Sequence, residues 1–207
     1  MSEPGLRERK KQRMYETVSE IAIGLFLEKG YDAVSVAEIA AAAEISKPTL
    51  FRYFPSKEDL VFRRIADHED EAARVVWERG VGVAPLDALR LHFVDGIERD
   101  DPITGVNGHP AVRAFYALLY GTPALVGRLH THLERSEAAL AEALGGDLDA
   151  RLAAGQIVAV RRVLAEENWR RVMEGEDAEV VRADAVVAAE RGFGMLAGGL
   201  TRFAQAS

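Results

Sequence analysis

S-V-A-E-I-A-A-A-A-E-I-S-K-P-T-L-F-R-Y-F-P-S-K, Ser35 to Lys57, is the stretch whose reading decides the fold. Ser35 with Glu38 has the pattern of a capping box, in which the hydroxyl accepts a first-turn N–H and the carboxylate reaches back. Residues 36–43 are nearly all good helix formers, with Val36, Ile39 and Ala40 on one face. Ser46 caps a second short helix, Lys47 to about Phe54, with Pro48 in the first turn, where a missing N–H costs little. Only Glu44 and Ile45 separate the two helices, so they must turn sharply against each other. That is the outline of a helix-turn-helix, whose second helix can enter a DNA major groove. Pro55 ends it, and Ser56 with Asp59 is a further capping box that starts a long helix.

Helical spacing turns Leu50 and Phe54 inward and leaves Lys47, Thr49 and Arg52 outward. Lys and Arg suit phosphates and guanine edges, and Thr offers a hydroxyl and a methyl. Tyr53 and Lys57 fall where the helix would graze a phosphate backbone, and Ser35, Ser46, Pro48 and Phe51 complete the candidate DNA-binding set. A short basic helix is equally compatible with a solvated face. Two tightly joined capped helices behind a basic arm shift the balance to nucleic acid.

Residues from about Tyr15 to Ile65 resemble the DNA-binding domain of the tetracycline-repressor (TetR) family of transcriptional regulators. The likeness rests on A-x-x-L-F-x-x-x-G-Y from Ala22 to Tyr31, then S-V-A-E-I-A, then I-S-K-P-T-L-F-R-Y-F-P-S-K-E-D-L. It covers roughly a quarter of the chain. Two positions depart from the family pattern. Glu44 stands at a turn position usually held by Gly, where a left-handed backbone costs a side-chain-bearing residue about 1 kcal/mol. Phe51 replaces a common Tyr, which removes a hydroxyl contact.

The chain has 207 residues, enough for a small domain and a larger one, with 48% hydrophobic and 29% charged residues. There is no cysteine, so disulfides and Cys-ligated metals are excluded. No run of about 18 apolar residues occurs and the N-terminus is charged, so a cytoplasmic protein with no membrane partner is expected. The net charge of −7 is unevenly spread: residues 1–64 hold 11 Lys or Arg and 10 Asp or Glu, net +1, which leaves −8 for the remainder. The basic charge is local, in Arg7, Arg9, Lys10, Lys11 and Arg13. This arm can lie along phosphates or in a minor groove; a solvated tail is the other reading of residues 1–9.

The remaining pattern is helical, for an all-α fold of about nine helices. A three-helix helix-turn-helix domain, residues 1–56, precedes a larger helical domain, residues 57–207. A helix over 10–29 carries Val18, Ile21, Ala22, Leu25 and Phe26. A helix over 57–79 is shared as the connector, and Gly80-Val81-Gly82 stops it. Helices follow over about 85–99, 110–120, 123–144, 148–174 and 178–203, with a loop over 100–108. Ala189, Phe193, Leu196, Leu200 and Phe203 step by 4, 3, 4, 3, the seam of a helix–helix interface, with Gly192, Gly194, Ala197, Gly198 and Gly199 allowing close approach. An intramolecular core face has the same pattern. The resemblance implies instead that the last two long helices of each subunit pair in a four-helix homodimer interface.

Trp77, Phe93, Phe115, Tyr116, Tyr120 and Trp169 are candidate ligand-binding aromatics, with His92, His109, His130 and His132 as polar points, although each aromatic also suits ordinary packing. The resemblance implies a small-molecule effector there. Enzyme readings lack their residues. His130 and His132 diverge on a helix, no Glu-x-x-His pair exists, and the glycines from Gly192 to Gly198 lack a preceding strand. The acidic run Asp67, Glu69, Asp70, Glu71 reads as a solvated face. No catalytic residue, metal or cofactor is expected. The expected function is a homodimeric, ligand-responsive regulator, a repressor released from a palindromic double-stranded operator by a largely apolar ligand. The alternative is a helical, DNA-recruited interaction protein governed by a protein partner.

Overall fold

The computed structural model describes residues 5–65 and 68–205, with residues 6–10 described by backbone only. Ten α-helices and no strand occur among the described residues. α1 spans Leu6–Lys29, starting earlier than the expected Lys10. The side chains of Arg7, Arg9 and Lys10 lie outside the described residues, whereas Lys11 and Arg13 are exposed. Gly30, at φ 86°, stops α1 in a backbone conformation that side-chain-bearing residues rarely adopt. α2 is Val36–Ala42, α3 Lys47–Tyr53 and α4 Lys57–Phe62.

The continuous connector over 57–79 is not what forms. α4 ends at Phe62, a turn follows over 63–65, and α5 starts afresh as Glu71–Glu78. The cause is legible in the run preceding α5. Glu69, Asp70 and Glu71 favour a helix N-terminus, where the free N–H groups and the positive end of the dipole lie. The acidic run is therefore a helix start, with Glu71 mostly buried; Asp67 lies outside the described residues. α6 is Pro85–Glu98, α7 Pro110–Gly121, α8 Pro123–Ala143, α9 Leu148–Met173 and α10 Ala178–Gly199. A short 3-10 turn, Thr201–Phe203, follows the Gly198-Gly199 pair where the expected helix would have continued.

The chain forms two compact units: Met1–Asp67 with Ala114–Thr131, and His68–Arg113 with His132–Ser207. The first therefore extends beyond the expected boundary at residue 56. Its core explains why. Val18, Ala22 and Phe26 of α1, Ile39 of α2, Leu50 of α3 and Leu60 and Val61 of α4 share one buried cluster with Phe115, Leu119 and Leu125 of α7 and α8. Each large apolar side chain so buried contributes about 1.5–3 kcal/mol. Ser19 adds a buried bond, its hydroxyl donating to the Leu60 carbonyl at 2.6 Å.

The core of the second unit joins Leu86, Leu89, Phe93 and Ile97 of α6 to Ala150, Ala154 and Ile157 of α9 and Ala189, Phe193 and Leu196 of α10. The Phe93 and Phe193 rings lie 6.2 Å apart. Gly192 allows α9 and α10 to approach, since a Cβ there would meet Val160 at 3.1 Å and Leu164 at 3.4 Å. The seam Ala189, Phe193, Leu196, Leu200, Phe203 consequently packs inside its own unit, four of the five buried and Leu200 against them. The 4-3 spacing correctly marks an apolar face, but spacing alone does not say which helix that face meets.

The loop over 100–108 holds the tightest backbone approach. Asp101 caps a 3-10 turn, Pro102–Thr104, accepting the Ile103 N–H at 3.1 Å. Asn168 of α9 donates to the Thr104 carbonyl at 2.9 Å in a buried bond. Gly105 follows at φ 81°, and a Cβ there would lie 2.1 Å from the Ala165 carbonyl oxygen. Gly105→Ala therefore combines a left-handed backbone with a clash against helix backbone, and should destabilise the protein by more than about 2 kcal/mol. Chemical denaturation of the variant against the parent checks this.

Candidate nucleic-acid interface

Each of the two short helices is built as its sequence dictates, with one difference. Ser35 caps α2 by accepting the Glu38 N–H at 3.1 Å, but the Glu38 carboxylate pairs with Lys29 at 2.6 Å instead of reaching back. That pair holds the Glu38 carboxyl below its ordinary value: the Lys29 bond outweighs the opposing effect of burial. Ser46 caps α3, its oxygen accepting the Thr49 N–H at 3.2 Å and lying 2.8 Å from the Thr49 hydroxyl. Between them, the Glu44 N–H bonds the Ala41 carbonyl at 3.1 Å and the Ile45 N–H bonds the Ala40 carbonyl at 2.9 Å. These two bonds form a Schellman motif, and Glu44 takes its left-handed position at φ 54°.

The turn presents α3 with Leu50 and Phe54 buried beneath it and Lys47, Pro48, Phe51 and Arg52 on the exposed side, Thr49 partly so. Phe51 is 42% exposed, with the Lys47 ammonium 5.9 Å from its ring centroid. The Arg52 guanidinium stands 5.2 Å from the Tyr53 ring, and Tyr53 packs edge-on against Tyr15 of α1 at 5.2 Å. Lys47, Thr49, Arg52 and Phe51 thus share one helix, with Ser35 and Ser46 at the caps beside it. Lys57 is different. Its ammonium donates to the Tyr31 carbonyl and stands 4.1 Å from the Tyr31 ring centroid and 5.2 Å from that of Phe26, so it serves the fold of this unit. The Tyr31 phenol donates to Glu58 at 2.9 Å, and burial together with that carboxylate raises its pKa.

One interaction that sequence patterns did not reveal, between Asp59 and Arg128, braces the start of α4. Asp59 completes the capping box: its Oδ2 accepts the Ser56 N–H at 3.0 Å and the Ser56 hydroxyl at 2.8 Å. Its Oδ1 accepts from Arg128 of α8, Nε at 3.0 Å and Nη2 at 2.7 Å. Burial alone would raise the Asp59 carboxyl, but the Arg128 and Ser56 bonds outweigh it and hold it below its ordinary 3.8. No regular spacing connects positions 59 and 128.

The six candidate ligand aromatics are divided. Phe115, Tyr116 and Tyr120 belong to the first unit, Phe115 buried in its core and the two tyrosine rings stacked at 6.1 Å. Trp77, Phe93 and Trp169 belong to the second; Phe93 is buried, whereas Trp77 is 59% exposed at the end of α5. Of the histidines, His92 is partly buried beside Glu71, at 3.9 Å. No group of three His, Cys, Asp or Glu side chains suited to a metal occurs among the described residues, and none of their helices is long and apolar enough to cross a membrane.

A capped helix pair with a tight turn, displaying a basic and hydroxyl-bearing second helix above its own core, defines a helix-turn-helix DNA-binding transcriptional regulator. Residues 20–63 match the family model described as bacterial regulatory proteins, tetR family. The chain is 33% identical over 178 residues to the HTH-type transcriptional regulator TcmR of Streptomyces glaucescens, covering 81% of this chain and 78% of that protein. It belongs to the TetR family. Two solved structures share the fold. The SmeT–triclosan complex superposes with a TM-score of 0.60 at 13% identity, over 88% of this chain and 91% of that one. NalD of Pseudomonas aeruginosa, described as the secondary repressor of the MexAB-OprM multidrug efflux pump, gives 0.56 at 16%, over 89% and 97%.

Glu44→Gly should stabilise the protein by about 1 kcal/mol, because Gly takes the left-handed position without steric cost; thermal denaturation at neutral pH measures it. Asp59→Asn should cost about 1.5–3 kcal/mol at pH 7. The folded pKa of Asp59 is depressed, so its contribution is present above the unfolded value of 3.8 and disappears as pH falls through the folded value. The gap between parent and variant should therefore close below that pH in urea titrations run across an acid series.

Proposed function

We propose that the chain acts as a homodimeric repressor that reads a two-fold symmetric operator with Lys47, Thr49 and Arg52 of each subunit and leaves it when a small, largely apolar effector binds. The observation that carries this is the outward face of α3, held rigidly by Leu50 and Phe54 below it and by the Ser46 cap at its start. Lys47 and Arg52 supply charge for phosphates and base edges, and the Thr49 methyl and hydroxyl supply shape and a hydrogen bond. Ser35, Ser46, Pro48, Phe51 and Tyr53 flank these groups and take the phosphate-facing positions, with Lys57 adding field from within the fold. The protein is then confined to the cytoplasm with its DNA.

Two recognition helices spaced about 34–36 Å apart fit successive major grooves, so the mechanism calls for a dimer. The side of α9 and α10 opposite their core face suits it. Leu148, Leu152 and Val163 of α9 and Val180, Val187 and Met195 of α10 are exposed, Met195 by 75%. Gly194 and Gly198 on the same helix have open space where a Cβ would be, so a second helix can approach closely. An effector acts by fitting the conformation that does not bind DNA better than the one that does; equal affinity for both would change nothing. The complex of the fold relative SmeT with triclosan and the description of NalD as a repressor support that reading.

Selection of bound duplexes from a random pool at moderate salt tests the function. A palindromic motif is expected, with Arg52→Ala changing base preference at one position of each half-site. Weak, sequence-independent retention that salt abolishes would overturn the reading in favour of an interaction protein. Val187→Glu combined with Met195→Glu should halve the mass seen by sedimentation and weaken operator binding at least tenfold, with the helical content unchanged.

A further inference from the structure

The second unit carries a charged group where its core pattern calls for an apolar one. On α9 the inward positions run Ala150, Ala153, Ala154, Ile157, then Arg161, then Asn168 and Val172. Asn168 is satisfied by the Thr104 carbonyl. Arg161 is not satisfied in that way. Its Nη2 stands 3.8 Å from Glu71 Oε2, beyond hydrogen-bond reach, and its guanidinium lies 5.9 Å from the Phe93 ring centroid. Glu71 Oε2 is itself buried and has no hydrogen-bond partner among the described residues. Only 17% of the Arg161 side chain is accessible, and burial lowers its pKa, so the guanidinium is largely withdrawn from solvent yet still reachable.

We infer that Arg161, set against Glu71 and His92, is the polar anchor of the effector site, and that it selects an uncharged, largely apolar molecule bearing a carbonyl or hydroxyl oxygen. The inference rests on the ligand-responsive reading above. The guanidinium is a fork of five donors with no acceptor of its own, so its complement is an acceptor oxygen. Charge decides which kind. The carboxylates of Glu71 and Asp101 both act electrostatically on Arg161, so its charge is already opposed, while His68 is taken up by the other Glu71 oxygen, 3.2 Å from Oε1. An added carboxylate would crowd negative charge against a largely buried Glu71. His92 does not relieve this, because burial outweighs the pull of Glu71 and lowers its pKa. A neutral oxygen takes the guanidinium donors without that cost, and a hydroxyl hydrogen can satisfy the orphaned Glu71 oxygen. Phe93, beside the guanidinium and packed on Phe193, provides the apolar wall.

Matched probes test it: naphthalene, 2-naphthol, 2-acetylnaphthalene and 2-naphthoate, each titrated into the full-length protein by calorimetry and by release of a selected operator duplex. The two neutral oxygen-bearing probes should bind at least tenfold tighter than naphthalene, and 2-naphthoate should gain no such advantage. Arg161→Met should erase the difference while naphthalene binding is retained. Glu71→Gln should strengthen 2-naphthoate about tenfold, a gain that a misfolded variant cannot produce. Equal binding of all four probes, absence of binding by every probe to the parent, or an oxygen preference that survives Arg161→Met would each overturn the assignment. The two readings fail separately. Probes that bind through Arg161 without releasing the duplex would sink the effector mechanism and keep the site, whereas release that is indifferent to Arg161→Met would do the reverse.

Discussion

The Asp59 carboxylate is the joint on which the DNA-reading unit depends, because its two oxygens do different work. One closes the capping box that starts α4; the other takes the guanidinium of Arg128 on α8. A helix start needs its free N–H groups satisfied, and a partly buried arginine needs an acceptor of matching geometry. A single side chain meets both needs. It thereby fixes where α4 begins and what lies against it, and α4 in turn provides Leu60 and Val61 to the core beneath α2 and α3.

The Asp59–Arg128 pair also ties together parts of the chain that are far apart in sequence. α8 begins in the first unit and continues into the second, and Arg128 lies on its first-unit portion, bonded to Asp59 at the start of α4.

Local rules made the reading head legible, and long-range ones did not exist to make the rest so. Ser46, Pro48 and the inward pair Leu50 and Phe54 could be placed because caps and helical periods operate over three or four residues. Glu44 could be placed because only a left-handed residue closes that turn. By contrast, the seam from Ala189 to Phe203 was recognisable as apolar but not as intramolecular, since the same spacing serves both partners. Trp77 belongs to the same lesson: a tryptophan in a helical unit suggests a core or a pocket, yet its position near the end of α5 leaves it exposed. The pairing of Asp59 with Arg128 spans sixty-nine positions and leaves no periodic trace.

Arg161 is the case in which the rule and its violation together carry information. The stripe from Ala150 to Val172 predicts an apolar residue at that position, and the chain has an adjacent Arg161-Arg162 pair of which one must turn inward. A deep charge with a partner at 3.8 Å and no hydrogen bond to it is a poor stabiliser, and well-packed apolar residues in place of buried ion pairs are often neutral or favourable by about 1–4 kcal/mol. Packing alone therefore does not call for a guanidinium there, and the donors it leaves open are those the proposed oxygen-bearing ligand would take. The same logic separates this residue from Lys57, whose ammonium is already held by a carbonyl and two aromatic rings and needs nothing further.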